Sequence, residues 1–561
     1  MSIFDSWRRR KRHYEPLDPD EVMLDSSNLP SFNNQQFEGR IEQAIPKTTL
    51  YLLFGLFILI GGLFIGQLGY LQIIKGVAYA ERSKNNHLRH TDIYPERGII
   101  YDRNNVELAW NDNGRQYIPQ GGFAHVLGYL GYSSQEQIDS GTYSPKEYLG
   151  KVGVEAVFND KLHGVKGIRI EEVDATGKIA SDHLLQLPES GKSVTLSIDA
   201  RVQAELYRQV SALATDRGFT GGSAMIMDVH TGELLALVSY PEYNPTLVTK
   251  GEDRSTINAY FKDKSNPFLN RAISGLYTPG SVVKPIVAIG ALAEHIITPE
   301  KTIFSNGELV VPNPYNPKLN TVFKDWKAHG AVDMRRALAV SSNVYFYEIG
   351  GGFPGQVGLG IRRLDKYFRL FGLGQSTDLS LANEPAGSIP TPEWKAENFD
   401  GEVWRTGDTY HTTIGQYGMQ VTPLQMARVV VAVANGGRVL QPKIERLIDK
   451  NVKPLSVIEA PIGAWQVVRE GMRLAVKEGT AKGLDIGSVA VAAKSGTAEL
   501  GVSKERVNSW ITGFFPYESP RYVFVVVMEE GPRENLIGGV FIMRGLLDWM
   551  AIYTPEYLKA E

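Results

Sequence analysis

Residues 277–295 read YTPGSVVKPIVAIGALAEH, and they decide how most of the chain is interpreted. The first four letters are typical of a turn, and the apolar run Val282–His295 has the length of a helix. Ser281 then lies at a helix start, where free backbone N–H groups and the helix dipole favour a developing negative charge. Lys284 shares a helix face with Ser281, because residues three apart lie side by side. Pro285 suits a first helical turn, where its missing N–H leaves no bond unmade.

A second polar string, Ser341-Ser342-Asn343, follows the periodic segment Val332–Val340 and precedes aromatic residues. Such a triplet between apolar runs is usually a turn or a helix cap. In a catalytic interpretation, Ser341 is a proton shuttle, and Asn343 is an amide that holds the substrate backbone or Lys284.

The third string is Lys494-Ser495-Gly496-Thr497, and the alternating run before it predicts a strand over residues 488–494. Gly496 allows a close approach of another backbone. An extended peptide that pairs with this strand by strand addition places its carboxylate near Lys494 and the hydroxyls of Ser495 and Thr497. The alternative is an ordinary edge strand that ends in a charged residue.

The order and spacing of the three strings favour a single site. Ser281 and Ser341 are 60 positions apart, and Asn343 and Lys494 are 151 apart, so separate elements of one domain can converge. Each string alone is common, and Ser281 with Lys284 also fits a serine helix cap followed by a solvated lysine. Together they supply a nucleophile, a nearby amine and a carboxylate-binding strand, which acyl transfer through a serine ester requires.

Composition excludes several other classes of function. The chain of 561 residues has room for two or more domains, and its net charge of −3 argues against nucleic acid as a partner. The absence of cysteine excludes disulfides, thiolate metal ligands and a cysteine nucleophile. The ten histidines form no cluster with ligand spacing, so neither a metal nor a cofactor is predicted. No histidine lies in a recognisable serine-histidine triad string.

The chain resembles a class B penicillin-binding protein, a membrane-anchored peptidoglycan D,D-transpeptidase, from about Arg97 to Val527. Besides the three strings, the resemblance includes Arg97-Gly-Ile-Ile-Tyr-Asp-Arg103, Gly150-Lys-Val-Gly-Val-Glu155, Asn270-Arg271 and Pro279-Gly-Ser-Val-Val-Lys-Pro285. Within the class it is most similar to the elongation type, penicillin-binding protein 2. This similarity lies in Phe323-Lys-Asp-Trp-Lys327, Gly407-Asp-Thr409, Ile414-Gly-Gln416 and Thr422-Pro423.

The expected fold of the catalytic domain is α+β. Strand patterns at both ends surround a helix-rich middle, which predicts one antiparallel sheet flanked by helices. The resemblance implies the fold shared by penicillin-binding proteins and serine β-lactamases. The predicted segments are a hairpin over Ala224–Ser239, with its turn at His230-Thr-Gly232, and strands at Ser488–Lys494, Ile511–Phe515 and Tyr522–Met528.

The resemblance also implies a mechanism. Lys284, whose pKa is lowered by burial and by the charge of Lys494, takes the proton of Ser281. Ser281 attacks the penultimate D-Ala of a stem peptide, and the backbone N–H groups of Ser281 and Thr497 form an oxyanion hole. Ser341 passes the proton to the departing D-Ala, and an amine of a neighbouring stem peptide completes the cross-link. β-Lactams acylate Ser281, and transfer to water gives a D,D-carboxypeptidase side activity.

The segment Thr48–Ile74 contains no charged residue and exceeds the roughly 20 residues that span a bilayer, which predicts an uncleaved transmembrane helix. The predicted domains are a cytoplasmic tail (1–47), this helix (48–74), a non-catalytic pedestal (75–195) and a transpeptidase domain (196–561). Five basic residues cluster at Arg8–Arg12, which favours a cytoplasmic tail under the positive-inside rule. Four more basic residues follow the span closely and oppose this orientation. The catalytic domain is therefore placed outside the bacterial cytoplasmic membrane because peptidoglycan lies there.

The family usually carries a head insertion in the pedestal, but here only 21 residues separate Arg103 from His125. One catalytic domain and one span predict a separate polymerase partner, a multi-span glycosyltransferase of the RodA type, beside other elongation-complex proteins. Gly62 and Gly66 form a G-x-x-x-G pattern that suits helix packing with such a partner. The alternatives are a division-specific class B transpeptidase, a β-lactamase or carboxypeptidase, and a non-enzymatic β-lactam-binding scaffold.

Overall fold

The computed structural model of the chain describes residues 46–80, 88–173, 179–313, 316–501, 504–535 and 537–559. Nearly all of the predicted tail, including Arg8–Arg12, lies outside the described residues. The chain divides into two compact units. The first comprises residues up to Arg89 with Glu172–Ala180, and the second comprises His90–Glu171 with Ser181–Glu561. The domain boundaries given above stay a prediction.

Helices dominate the middle of the second unit. The described helices are α1 (Lys47–Gly69), α2 (Ala124–Leu127), α3 (Gln135–Asp139), α4 (Gly153–Val157), α5 (Asn159–His163), α6 (Ala200–Arg217), α7 (Pro245–Lys250), α8 (Arg254–Lys262), α9 (Lys284–Ala293), α10 (Met334–Val340), α11 (Asn343–Gly351), α12 (Gly360–Leu370), α13 (Pro392–Asn398), α14 (Thr406–Thr413), α15 (Pro423–Ala434), α16 (Ile462–Glu478) and α17 (Gly539–Tyr553).

Strands lie mainly before and after this helical middle. The described strands are β1 (Leu88–Ile93), β2 (Ile100–Tyr101), β3 (Glu107–Asn111), β4 (Arg115–Tyr117), β5 (Leu130–Tyr132), β6 (Tyr148–Gly150), β7 (Gly167–Val173), β8 (Ile179–Gln186), β9 (Val194–Thr195), β10 (Gly221–Asp228), β11 (Leu234–Tyr240), β12 (Ile303–Ser305), β13 (Glu308–Val311), β14 (Thr321–Lys324), β15 (Gly330–Val332), β16 (Arg438–Val439), β17 (Ser456–Val457), β18 (Ala492–Leu500), β19 (Arg506–Phe515) and β20 (Tyr522–Pro532).

The first unit contains the apolar helix α1, which continues into a π-helical turn at Tyr70–Ile74. The 28 residues Lys47–Ile74 are long and apolar enough to cross a membrane. At about 1.5 Å per residue they reach well beyond the roughly 30 Å of a hydrocarbon core. The helix therefore fits the predicted span in length and composition.

The catalytic part of the second unit is organised by a five-stranded sheet in the order β11-β10-β20-β19-β18. Every neighbouring pair in this sheet is antiparallel. The predicted antiparallel sheet and its β10–β11 hairpin are thus confirmed. The strand β18 lies at the edge of the sheet, as the third string predicted.

Helices cover both faces of this sheet, because alternate side chains of β20 are buried in two different cores. Its side chains alternate between two cores: Val523, Val525 and Val527 enter one, and Phe524, Val526 and Met528 enter the other. The first core includes α9, α11 and α15, and the second includes α6 and α17. Because both faces are buried, β20 is a continuous apolar run instead of an apolar–polar alternation.

The predicted strand Ser488–Lys494 is wrong at both ends, because β18 begins at Ala492 and continues to Leu500. Pairing with β19 starts only at Ala492 opposite Phe514. The strand β19 ends at Phe515, directly before Pro516, which has no N–H to donate. Residues before Ala492 therefore lack a partner strand despite their alternating pattern, and Lys494 lies inside the strand.

The predicted helix Val282–His295 is divided into two parts. Gly280–Val283 forms a 3₁₀ turn, and α9 begins only at Lys284. An α-helical bond to the Ser281 carbonyl would need the N–H of Pro285, which does not exist. The N–H of Lys284 makes that bond instead, with the tighter spacing of a 3₁₀ turn.

The pedestal segment is held by a buried ion-pair triad. The carboxylate of Glu155 accepts from Arg97 Nε at 2.6 Å and from Arg115 Nε at 2.7 Å, and all three side chains are less than a tenth exposed. Arg97 also donates to the Glu155 carbonyl at 2.9 Å. The triad joins two of the strings that carry the resemblance, Arg97–Arg103 and Gly150–Glu155.

Candidate active site

Ser281 lies in the 3₁₀ turn that precedes α9, and its side chain is partly exposed. The turn depends on Gly280, whose φ of 59° lies in the left-handed region that favours glycine. The N–H of Gly280 donates to the carbonyl of Gly415 at 2.9 Å. Gly415 belongs to the Ile414–Gln416 string, so this string supports the turn that presents the serine.

Lys284 is fully buried one turn after the serine. Its Nζ donates to the Ser341 carbonyl at 2.9 Å and to Asn343 Oδ1 at 2.7 Å, and it lies 3.3 Å from Ser341 Oγ. Among the described residues, the Ser281 hydroxyl has no side-chain hydrogen-bond partner. Catalytic hydrogen bonds often form only when substrate is bound.

Lys494, which lies in the sheet, reaches the hydroxyl of Ser341. Its Nζ donates to Ser341 Oγ at 2.8 Å and to the carbonyl of Ser495 at 2.8 Å, and its side chain is fully buried. The Ser341 oxygen therefore lies between the two lysine amines. The structure thus brings Lys284, Ser341, Asn343 and Lys494 together from α9, the α10–α11 turn and β18.

The α10–α11 turn explains why Ser341 and Asn343 face the lysines. Ser341 ends α10 in the left-handed conformation with φ 58°, and Ser342 caps α11 by accepting from the N–H of Tyr345 at 3.3 Å. Asn343 is the first residue of α11, so its side chain lies beside that of Ser341. The structure therefore confirms the cap and places Ser341 and Asn343 beside the buried lysines, whereas their catalytic roles stay a prediction.

Gly496 allows β18 to lie directly against the turn of Ser281. A Cβ at this position would lie 3.0 Å from the Pro279 carbonyl and 3.0 Å from Val282 Cγ1. A Cβ on Gly280 would in turn lie 3.2 Å from the Thr497 carbonyl. The backbones of Ser281 and Thr497, which the resemblance assigned to an oxyanion hole, therefore belong to two segments in close contact.

The two hydroxyl residues of the third string occupy different environments. Ser495 donates to Thr480 Oγ1 at 2.6 Å, whereas the side chain of Thr497 is exposed. Alternation along β18 places both on the face opposite to Lys494 and Gly496. A chain added along this edge would meet the hydroxyls from one face of the strand and the ammonium from the other.

Burial makes both lysines weaker bases than free lysine. Burial lowers the pKa of Lys284 to about 7, against the charge of Asp325, which raises it. Burial also lowers the pKa of Lys494 well below its usual value, and the charge of Lys284 lowers it further. Two buried amines that share one hydroxyl disfavour double protonation, so a neutral amine is available near pH 7.

Sequence reasoning missed Asp325, which lies immediately behind this site. Its carboxylate accepts from the N–H of Asn343 at 2.9 Å and from Ser342 Oγ at 2.8 Å. The neighbouring Trp326 donates from Nε1 to the Val340 carbonyl at 3.1 Å, beside Ser341. Both residues lie in Phe323–Lys327, which the sequence used only as a sign of subtype. A charged residue among these aromatic and basic neighbours was the available signal.

Comparison with known families agrees with this geometry. Residues 222–539 match the penicillin-binding protein transpeptidase domain, and residues 111–196 match the penicillin-binding protein dimerisation domain. The first match covers more than half of the chain and includes all three strings.

Curated relatives extend the similarity over most of the chain. The peptidoglycan D,D-transpeptidase MrdA of Haemophilus influenzae is 31% identical over 74% of this chain and 66% of that protein. MrdA of Escherichia coli K12 is 28% identical over 88% of this chain and 92% of that protein.

Solved structures show the same fold at a TM-score of 0.70. Pseudomonas aeruginosa PBP2 in complex with WCK 5153 is 29% identical over 84% of this chain and 98% of that one. Helicobacter pylori PBP2 in complex with MreC is 27% identical over 84% of this chain and 99% of that one. A chain from a peptidoglycan synthase complex that coordinates polymerization and crosslinking is 26% identical over 90% of this chain and 97% of that one. The chain therefore belongs to the penicillin-binding protein transpeptidases, as a class B member of the MrdA (PBP2) type.

Proposed function

We propose that this protein is a peptidoglycan D,D-transpeptidase of cell-wall elongation that cross-links stem peptides through an ester on Ser281. The observation that carries this function is the chain of contacts behind the serine. The buried amine of Lys284 follows one turn after Ser281, lies 3.3 Å from Ser341 Oγ, and is linked through that oxygen to Lys494. A protein that only binds partners has no need for two buried amines joined in this way.

Acylation begins when Lys284 accepts the proton of Ser281. A neutral amine has two N–H groups and one lone pair, so it can keep only two of its three present contacts as a donor. The contact with Ser341 Oγ is the longest of the three and is the one to change. The Ser281 oxygen then bonds to the carbonyl carbon of the penultimate D-Ala.

The negative charge on the carbonyl oxygen is stabilised by the backbone N–H groups of Ser281 and Thr497, each worth about 3 kcal/mol. The C–N bond to the terminal D-Ala then breaks, and Ser341 delivers a proton from Lys284 to the departing amine. An amine of a second stem peptide attacks the ester, and Ser281 recovers its proton as the cross-link forms.

Substrate binding uses the free edge of β18. The donor peptide adds to this edge as a strand, with its carboxylate near Lys494 and the hydroxyls of Ser495 and Thr497, and Asn343 holds either the peptide backbone or Lys284. A β-lactam enters in the same orientation and leaves Ser281 acylated. Replacement of Lys494 by Ala is therefore expected to weaken capture of the carboxylate-bearing substrate.

Labelling with a fluorescent penicillin tests the serine assignment. Ser281→Ala is expected to lose all covalent label while keeping its circular dichroism spectrum, because the proposed ester forms on the Ser281 hydroxyl and the other hydroxyls of the site serve binding or proton transfer. Ser274→Ala, close in sequence but outside the three strings, is the control and should label normally. Label on Ser281→Ala at the strength of the unmodified protein would refute the assignment.

The pedestal and transpeptidase domain are placed outside the cytoplasmic membrane, anchored by α1. This placement, and a separate polymerase of the RodA type as partner, belong to the proposal. The similar chain from a peptidoglycan synthase complex, in which polymerization and crosslinking are coordinated, supports such a partnership. Reconstitution with lipid-linked precursor is the test: the protein alone should form no glycan polymer, and cross-links should require the polymerase.

A further inference from the structure

Asp325 collects the donors that define the start of α11. Its side chain is fully buried, and its carboxylate accepts from the N–H groups of Asn343 at 2.9 Å and Val344 at 3.1 Å. The hydroxyls of Ser342, at 2.8 Å, and Ser305, at 3.1 Å, donate to the same group. Hydrogen bonds to an ionised acceptor are stronger than neutral ones, and an anion at a helix N-terminus also meets the positive end of the helix dipole.

These contacts fix the segment that Lys284 binds from the opposite side. Asn343 donates its backbone N–H to Asp325 and accepts from Lys284 Nζ with its side chain. Ser341, two residues earlier, gives Lys284 its carbonyl and hydroxyl oxygens. Among the described residues Asp325 forms no ion pair with Lys284, so its hydrogen-bonded link to that lysine runs through residues 341–343. Its charge also acts on the lysine through space.

The titratable groups around Asp325 and Lys284 differ in how their environment shifts each pKa. The pKa of Asp325 lies below its usual value although burial opposes this, because the N–H groups of Asn343 and Val344 and the Ser342 hydroxyl stabilise the carboxylate. His329 Nε2 lies 3.6 Å from Asp325, and burial lowers the pKa of His329 below its usual value although the charge of Asp325 raises it. Lys327 adds a positive charge near His329, and Lys494 is the second buried amine beside Lys284, with a pKa that burial and the charge of Lys284 hold well below the usual value.

We propose that Asp325 is a positioning residue that holds the Ser341–Asn343 segment against Lys284 and whose charge favours the protonated form of that lysine. The inference rests on the proposed role of Lys284 as the base. The position of Asp325 must fix the Ser341–Asn343 segment precisely, since a displacement of about 1 Å in a catalytic group can cost about 100-fold in rate. Its charge must also set the pH at which the amine becomes available.

The test measures the rate of acylation by a fluorescent penicillin from pH 5 to 9 in the full-length protein. The unmodified protein should lose rate below about pH 7, where Lys284 becomes protonated. Asp325→Asn keeps the shape but removes the charge. Its plateau rate should fall by about 10- to 100-fold, and its loss of rate should begin at a lower pH, because Lys284 then gives up its proton more readily.

The control is Asp333→Asn, which changes another capping aspartate. Asp333 accepts from the N–H of Arg336 at the start of α10, one helix before α11. It should leave the midpoint of the pH profile where it is. A profile of Asp325→Asn that is lowered but not moved, or one identical to the unmodified profile, would overturn the proposal. An unmodified profile without any loss of rate near pH 7 would instead refute the base role of Lys284.

Two milder variants serve if Asp325→Asn does not fold. Ser342→Ala and Ser305→Ala each remove one hydroxyl donor and leave the carboxylate charged. Both should slow acylation several-fold without moving the midpoint, because the charge near Lys284 is unchanged. Full acylation rates in both variants would overturn the view that this network holds the segment.

Discussion

The pedestal and the active site both bury charged side chains, but they pair these charges differently. In the pedestal, Glu155 lies between Arg97 and Arg115 at ion-pair distances of 2.6 and 2.7 Å. In the active site, Lys284 and Lys494 are equally buried, yet among the described residues neither forms an ion pair with a carboxylate. Their Nζ atoms donate to carbonyl, hydroxyl and amide oxygens.

The difference separates a structural role from a chemical one. A buried charge that has its partners is costly to disturb, because removal of one partner leaves the other uncompensated. A buried cation without a counterion becomes easier to deprotonate, and this is the state that a general base needs. The same degree of burial therefore makes the charges of one region costly to separate and, in the proposed mechanism, prepares proton transfer in the other.

The largest expected effect is the loss of the base in Lys284→Ala. The acylation rate with a fluorescent penicillin should fall by about 10²–10⁴-fold, the usual contribution of a general base. Lys301→Ala, which removes an exposed lysine of the same domain, is the control and should acylate normally. Unchanged pre-steady-state acylation in Lys284→Ala would mean that another group takes the proton.

Mutation of the pedestal triad should lower the stability of the fold instead of the acylation rate. Glu155→Ala leaves two buried arginines without their carboxylate and should cost about 3–5 kcal/mol, seen as a lower unfolding midpoint. The control is Glu445→Ala, which breaks the exposed Lys161–Glu445 pair and should cost less than about 1 kcal/mol. An equal loss in both variants would contradict the structural role assigned to the triad.

The sequence predicted those parts of the site that depend on short spacings. Ser281 and Lys284 are three residues apart, so their neighbouring positions on one turn follow from the sequence. The alternating run before Lys494 indicated a strand that contains this lysine, although both bounds of the strand were wrong. The antiparallel sheet followed from strand patterns at the two ends of the catalytic domain. Local patterns carry this information because they reflect helix and strand periodicity.

The parts that were missed depend on contacts between distant segments. Asp325 is one of 62 acidic residues, and only the approach of its loop to α11 shows that it accepts from Asn343. The true start of β18 likewise depends on where its partner β19 ends. No periodicity within residues 488–494 contains that information.

Glycine contacts extend the comparison between the two regions. A Cβ on Gly496 would crowd the Pro279 carbonyl at 3.0 Å, and a Cβ on Gly150 would overlap the Glu155 carbonyl. Such overpacking costs about 1–3 kcal/mol. Gly496→Ala should therefore lower the acylation rate by about tenfold, whereas Gly150→Ala should lower the unfolding midpoint.

Gly487→Ala is the matched control, because a Cβ there has open space around it and should change neither quantity. If Gly496→Ala acylates normally, the contact between β18 and the serine turn is not needed for catalysis.

The last expected effect concerns the stability of the fold against pH, and it follows from the lowered pKa of Lys284. An unfolded lysine has a pKa near 10.4, whereas Lys284 in the fold has a pKa of about 7. Between these values the unfolded chain binds more protons, so this lysine makes the folded state more stable as the pH rises from 7 to 9, by about 2 kcal/mol. Thermal unfolding of the full-length protein at pH 7, 8 and 9 measures the change, with Lys284→Ala as the comparison. The rise should be smaller in Lys284→Ala than in the unmodified protein. Equal pH dependence in the two proteins would show that Lys284 has no lowered pKa in the fold, and the contrast with the pedestal triad would then lose its physical basis.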